Sequence, residues 1–149
     1  MLAKNCSDHV HYYQGGKPFR YYLLDPSTGE FSTTVLGPEL YKGQKLQLPV
    51  KGGLFKCGKI EDGEEESSFD HDYTLIAEAV APGFDFHDFT WITKDMLNET
   101  VKDTKVKELL LGFVNAESTE IHRDNKTVDA AAEFYEEGES KAQREAERA

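Results

Sequence analysis

A chain of 149 residues with 38% hydrophobic content can bury one core but not two of comfortable size, so a single domain is expected. Its 28 Asp and Glu against 17 Lys and Arg leave a net charge of -11, which repels phosphate backbones and anionic lipid surfaces and speaks against nucleic acid as a partner. Cys6 and Cys57 lack metal-type spacing, the polar start Met1-Leu2-Ala3-Lys4-Asn5 resembles no export signal, and no apolar run approaches the roughly 20 residues of a membrane helix; a reducing, cytoplasmic setting without a membrane partner is the expectation.

From His9 to about Ile92 short strands alternate with turn chemistry at Gly15-Gly16, Asp25-Pro26-Ser27-Thr28-Gly29, Gly37-Pro38, Gly52-Gly53 and Pro82-Gly83, a spacing that predicts an all-β sandwich or barrel. Phe19 to Leu24 is a strand by its aromatic and aliphatic content, and Asp25-Pro26 with Gly29 turns it into Phe31 to Leu36 as a hairpin. Leu46, Leu48 and Val50 alternate with Lys45, Gln47 and Pro49, giving a strand with one buried face, and Pro49 assigns it to an edge or a bulge. Gly53 to Ile60 continues as strand. The acid-rich stretch from Glu61 to Asp72 has the composition of an exposed hairpin loop.

Tyr73 to Ala81 places Tyr73, Leu75, Ala77 and Ala79 on one face and Ile76 and Val80 on the other, which predicts a strand central in its sheet. Ala81-Pro82-Gly83-Phe84-Asp85-Phe86-His87-Asp88-Phe89 then reads as a turn feeding a strand, its phenylalanines in the core and Asp85 accepting backbone N–H bonds in the turn. After Trp91 the period becomes helical. Thr93 is the expected cap before Met96, Leu97 and Val101, and Val106, Leu109, Leu110 and Phe113 repeat at helical spacing, so these helices should pack on the outside of the sheet. From Asp129 onward the alanines and mixed charges favour a solvated helix or tail. The organisation expected is a β-barrel core over 1–92, a helical extension over 93–115 and an acidic, solvated segment over 116–149.

The Pro82-Gly83-Phe84-Asp85-Phe86 run, preceded by Tyr73-Thr74-Leu75-Ile76, resembles the closing strands of the type-five cupins, a branch of the cupin superfamily classed as a domain of unknown function. Gly43-Gln44-Lys45-Leu46-Gln47 followed by Gly53-Leu54-Phe55 looks like that family's Gly-x-x-Pro-Gln stretch and Pro-x-Gly-x-Trp turn, and Asp8-x-Val10 through Gly16-x-Pro18 looks like its Asp-Glu-Val-Trp-His segment. The resemblance covers roughly Ser7 to Trp91. It implies a cupin jelly-roll barrel, similar to the sugar-nucleotide epimerases of the superfamily, with C-terminal α-helices. The family's Trp-His pair has no counterpart here, since Ala3 aligns with that His, and the barrel is therefore expected to be N-terminally truncated.

His9 and His11 lie two apart, so on a strand both imidazoles point to one face, an arrangement used for metals inside barrels. The resemblance argues the other way: His9 falls in the slot of the family's metal-binding Glu, and Lys56 falls in the slot of its later His, where a cation repels a metal. No metal and no cofactor are expected. Acid-base chemistry of the epimerase kind would draw on a His held by Asp and a Tyr acid, for which His87 beside Asp85 and Asp88 and the tyrosines Tyr12, Tyr13, Tyr21 and Tyr22 supply the residue types. Lys56 and Arg20 could anchor an anionic ligand.

Two readings follow. In one, a small polar or anionic, carbohydrate-like ligand is bound or isomerised in the barrel, lined by Tyr12, Tyr22, Phe55 and Lys56. In the other, the chain is a non-catalytic, diverged cupin shell acting as an association module, as the missing Trp-His pair and the His in the Glu slot would suggest. Unpaired strand edges in either case predict a homodimer.

Overall fold

A computed structural model describes residues 1–61 and 73–114. Its strands are β1 (Ala3–Asn5), β2 (Asp8–Gly16), β3 (Phe19–Leu24), β4 (Phe31–Leu36), β5 (Gln47–Val50), β6 (Phe55–Ile60), β7 (Thr74–Ala81) and β8 (Phe89–Trp91), followed by helices α1 (Lys94–Thr100) and α2 (Thr104–Leu111). The strands form a five-stranded sheet in the order β4-β3-β6-β1-β8 and a three-stranded sheet in the order β5-β2-β7. The pairings within both sheets are antiparallel.

The expected hairpin of β3 and β4 pairs Phe19 with Leu36 through Leu24 with Phe31. Asp25 closes it as the sequence suggests: its Oδ1 accepts from the backbone N–H of Ser27 at 2.8 Å, and Gly29 takes the positive φ of 78° that the turn requires. On β5, Leu48 and Val50 are buried, and the strand does lie at the edge of its sheet, which is where Pro49 can sit without breaking a ladder.

Alternation along β3 divides the core in two. Tyr21 and Leu23 join Leu36, Leu48 and Val50, with Tyr13, Phe19 and Ile76 packed against them, so this apolar layer draws on both sheets. Tyr22 and Leu24 face the other way, into a cluster with Leu2, Phe55, Cys57, Ile92, Leu97, Val101 and Leu110. That second cluster is the reason α1 and α2 lie on the outside of the five-stranded sheet. Each helix is capped by its own sequence: Thr93 Oγ1 accepts from Met96 N at 3.2 Å, and Asp103 Oδ1 accepts from Lys105 N at 2.8 Å and Val106 N at 3.0 Å. With both helices started at fixed residues, Leu97 and Leu110 turn fully into the core.

Two expectations need correction. Among the described residues β7 pairs only with β2, so it is an edge strand and not a central one. Its outward face (Leu75, Ala77, Ala79 and Ala81) is exposed, and apolar character on two faces therefore reflected small alanines and not double burial. The phenylalanines of the Pro-Gly corner are not all core: Phe84 is 56% exposed, whereas Phe89 is half-buried with its ring edge-on to Trp91 at 4.5 Å. Asp85 does serve the turn, accepting from His87 N at 2.8 Å, and the corner is tied down by Ser7, whose hydroxyl lies 3.2 Å from both Gly83 O and Asp88 Oδ2. The acid-rich loop and the segment from 116 onward lie outside the described residues, apart from Glu61. No helix among the described residues is long and apolar enough to cross a membrane.

Candidate functional site

The period-two alternation of β2 sends His9 and His11 to the same side, and both are almost fully buried, at 3% and 4% exposure. Antiparallel pairing then sets β7 beside them, with His11 opposite Glu78 in register and His9 opposite Val80. Across from this sheet, Lys56 on β6 is the register partner of Leu23, whose side chain belongs to the layer between the sheets, and its ammonium reaches His11 and Glu78. A cation, a carboxylate and two imidazoles from three strands thus converge in an otherwise apolar layer.

The contacts are close and shared. His9 Nδ1 donates to Glu78 Oε1 at 2.5 Å, and the same oxygen accepts from Lys56 Nζ at 3.1 Å. Lys56 also donates to His11 Nε2 at 2.9 Å, and the His11 ring packs on Tyr21 at 4.9 Å between centroids. At the far side of His9, Nε2 meets the Asn5 side-chain nitrogen at 2.7 Å. With Nδ1–H committed to a carboxylate, Nε2 carries the lone pair and the Asn5 amide donates to it. That choice leaves Asn5 Oδ1 buried with no hydrogen-bond partner among the described residues, a polar atom ready for a donor.

Burial decides most of the electrostatics. It lowers the His11 basicity to about 4, reinforced by the Lys56 charge, so His11 is neutral at ordinary pH and can accept from the ammonium. Burial also draws Lys56 below the usual lysine range despite the opposing pull of Glu78. For Glu78 burial works upward but is outweighed by the hydrogen bond from His9 and by the charge and hydrogen bond of Lys56, which hold the carboxyl below its ordinary value. The Tyr21 hydroxyl is pushed up by burial and stays protonated. Cys57, buried in the helix-side cluster, has its thiol pushed up to about 12 and is an inert core residue.

Of the four residues expected to line a ligand site, the structure brings only Lys56 to this cluster. Tyr12 lies on the opposite face of β2 from His9 and His11, while Tyr22 and Phe55 belong to the core beneath the helices. Arg20 is not beside Lys56; its guanidinium is forked onto the Glu61 carboxylate, with Nη2 to Oε2 at 3.0 Å. His87 is paired with Asp85 at 2.8 Å, both more than half exposed at the surface of the Pro-Gly corner. Two members of the cluster escaped the sequence reading. Glu78 had a legible signal, since it is the lone charge within Thr74–Ala81; Asn5 had none.

His9, His11 and Glu78 supply three metal-type ligand atoms within 4.8 Å of one another. They do not fit a divalent ion as they stand, because the Lys56 ammonium lies within hydrogen-bond distance of the His11 and Glu78 donor atoms, occupying the position a cation would need. The site carries its own positive charge on a side chain.

The family model and the solved structure agree on the fold. A family model described as cupin superfamily (DUF985) matches residues 1–92. An uncharacterised protein of Saccharomyces cerevisiae is 36% identical over 107 residues, covering 71% of this chain and 50% of that protein. A leucyl/phenylalanyl-tRNA–protein transferase of Pseudomonas entomophila is 35% identical over 85 residues, 57% of this chain but only 31% of that protein. The chain spans half or less of the length of these two relatives. Among solved structures, a protein of Shewanella oneidensis superposes with a TM-score of 0.64 at 23% identity, covering 78% of this chain and 66% of that one, which supports the fold alone.

Proposed function

Because the chain belongs to the cupin superfamily, in the family described as DUF985, we propose that the cluster of Asn5, His9, His11, Lys56 and Glu78 binds a small polar, carbohydrate-like ligand and moves a proton on it. The observation that carries this reading is the sharing of one carboxylate oxygen by His9 and Lys56. A carboxylate on Nδ1 orients an imidazole and stabilises it once it has taken a proton, and an adjacent ammonium stabilises the oxyanion left on the ligand. Those are the two requirements of proton abstraction next to a carbonyl. The orphaned Asn5 Oδ1 supplies an acceptor for a ligand hydroxyl.

The test is a thermal-shift screen of the wild type and Lys56→Met against nucleotide sugars and sugar phosphates. A ligand at a hundred times its Kd stabilises a folded protein by about 2.7 kcal/mol, a shift that should appear in the wild type and vanish in the variant. If no compound raises the melting temperature, the reading is lost, and the non-catalytic shell becomes the better account.

Self-association is the second reading, and it is compatible with the first. β7 is eight residues long and pairs on one side only among the described residues, and its outward face of Leu75, Ala77, Ala79 and Ala81 carries no charge on a chain of net charge -11. Antiparallel pairing of β7 with a second copy satisfies this edge without bringing charged faces together. Sedimentation should show a dimer that Ala79→Pro converts to monomer, because proline removes an N–H from the ladder; a wild-type monomer at high concentration sinks the idea.

A further inference from the structure

We propose that Lys56 is a covalent capture group for carbonyl compounds, its Nζ condensing with the aldehyde or ketone carbon of a small hydroxycarbonyl ligand to form an imine. The inference rests on the reading of this cluster as a ligand site and names the ligand's class and its mode of attachment.

The geometry supports each requirement of the reaction. An amine must lose its proton before it can attack, and Lys56 Nζ has two neighbours that can take one, His11 Nε2 at 2.9 Å and Glu78 Oε1 at 3.1 Å. Lys56 is largely removed from water, its side chain 18% exposed, while Glu78 at 40% exposure leaves a way in from solvent. Lys51 offers the contrast: its side chain is 82% exposed and its ammonium lies on the Asp8 carboxylate at 2.6 Å. The titratable groups facing Lys56 are His11 from β2 and Glu78 from β7, with His9 one hydrogen bond further along; of these Glu78 favours the ammonium, and burial outweighs it. Desolvated lysines of this kind are the ones that serve as amine nucleophiles.

The step balances without an oxidant or reductant. The ammonium passes one proton to His11 Nε2, and the free electron pair on Nζ forms the N–C bond as the carbonyl π pair moves to oxygen. That oxygen takes the proton back from His11, giving a carbinolamine. A second Nζ proton goes by way of Glu78 to the hydroxyl, the C–O bond breaks, and water leaves. The protonated imine keeps the single positive charge that the ammonium brought, so the Glu78 carboxylate, once it has passed its proton on, is paired as at the start.

The test uses the wild-type chain with glycolaldehyde as the probe and sodium cyanoborohydride as the trapping reductant at pH 7, with peptide mass spectrometry to read labelling at each lysine. Lys56 should be labelled several-fold faster than Lys51, the direction expected because burial lowers the basicity of its amine. In His11→Asn the labelling at Lys56 should slow while that at Lys51 is unchanged. Labelling of Lys56 at the rate of Lys51 or below overturns the imine. If sugar phosphates still raise the melting temperature in that case, only the covalent step falls; if they do not, the ligand-site reading falls with it.

Discussion

Gly52→Ala is expected to destabilise the fold by about 3 kcal/mol or more, the upper range for overpacking, because the added methyl has nowhere to go. A Cβ at this position would stand 1.9 Å from Cys6 O and 2.7 Å from Cys6 C, and both are backbone atoms that cannot rotate aside. The close approach is held from two directions: Gly52 N donates to Asp8 Oδ1 at 2.8 Å and Gly53 N donates to Asn5 O at 2.7 Å. These bonds clamp the bend between β1 and β2 against the turn between β5 and β6. Asn5 and His9 flank that bend, so a displaced turn would also disturb the Asn5–His9 contact. Urea denaturation of Gly52→Ala against Gly83→Ala checks the claim, since a Cβ on Gly83 meets nothing within 4 Å and its φ is not positive. Equal midpoints for the two variants would refute it.

Acid should unfold the protein through the buried histidine. His11 has its basicity lowered from an ordinary 6.5 to about 4, so between those values the unfolded chain binds a proton that the native state excludes. Stability therefore falls as the pH drops from 6.5 towards 4, and at 1.36 kcal/mol per pH unit the full window is worth about 3 kcal/mol. Glu78 acts in the same sense: its carboxyl is held below the ordinary value in the folded state, and its contribution is lost as the pH falls through that lowered value. Urea midpoints at pH 7, 5.5 and 4 should descend steeply in the wild type and more gently in His11→Gln. A wild-type midpoint that stays constant from pH 7 to 4 would show that His11 is not excluded from protonation by the fold.

The residues that join the cluster show where local pattern is sufficient and where it is not. His9 and His11 share a face because a strand alternates with period two, a property of the backbone that needs no knowledge of the partner strands. Lys56 could be singled out by its place beside Phe55 in a strand of core character. Tyr22 and Phe55 illustrate the limit: parity says that Tyr22 and Leu24 go together, but not whether their side faces the second sheet or the helices. Packing assigns them to the helices. Tyr12 is lost to the site for the mirror reason, since its neighbours His9 and His11 hold the inner face of β2.

What the sequence by itself determined about this protein is therefore everything governed by short-range rules: the β3–β4 hairpin with its Asp25 turn, the restriction of the strand carrying Pro49 to an edge or a bulge, the Thr93 cap, the common face of His9 and His11, and the cupin membership carried by its motifs. Only the tertiary structure decided that β7 is an edge and that Glu78, 69 residues from His9 in the chain, lies against it. Tertiary packing also placed the ammonium of Lys56 among atoms that would otherwise suit a metal. The reason is physical. Alternation and capping are fixed by neighbours within a few residues, whereas sheet order and the burial that lowers the basicity of His11 and Lys56 arise only when distant segments exclude water together.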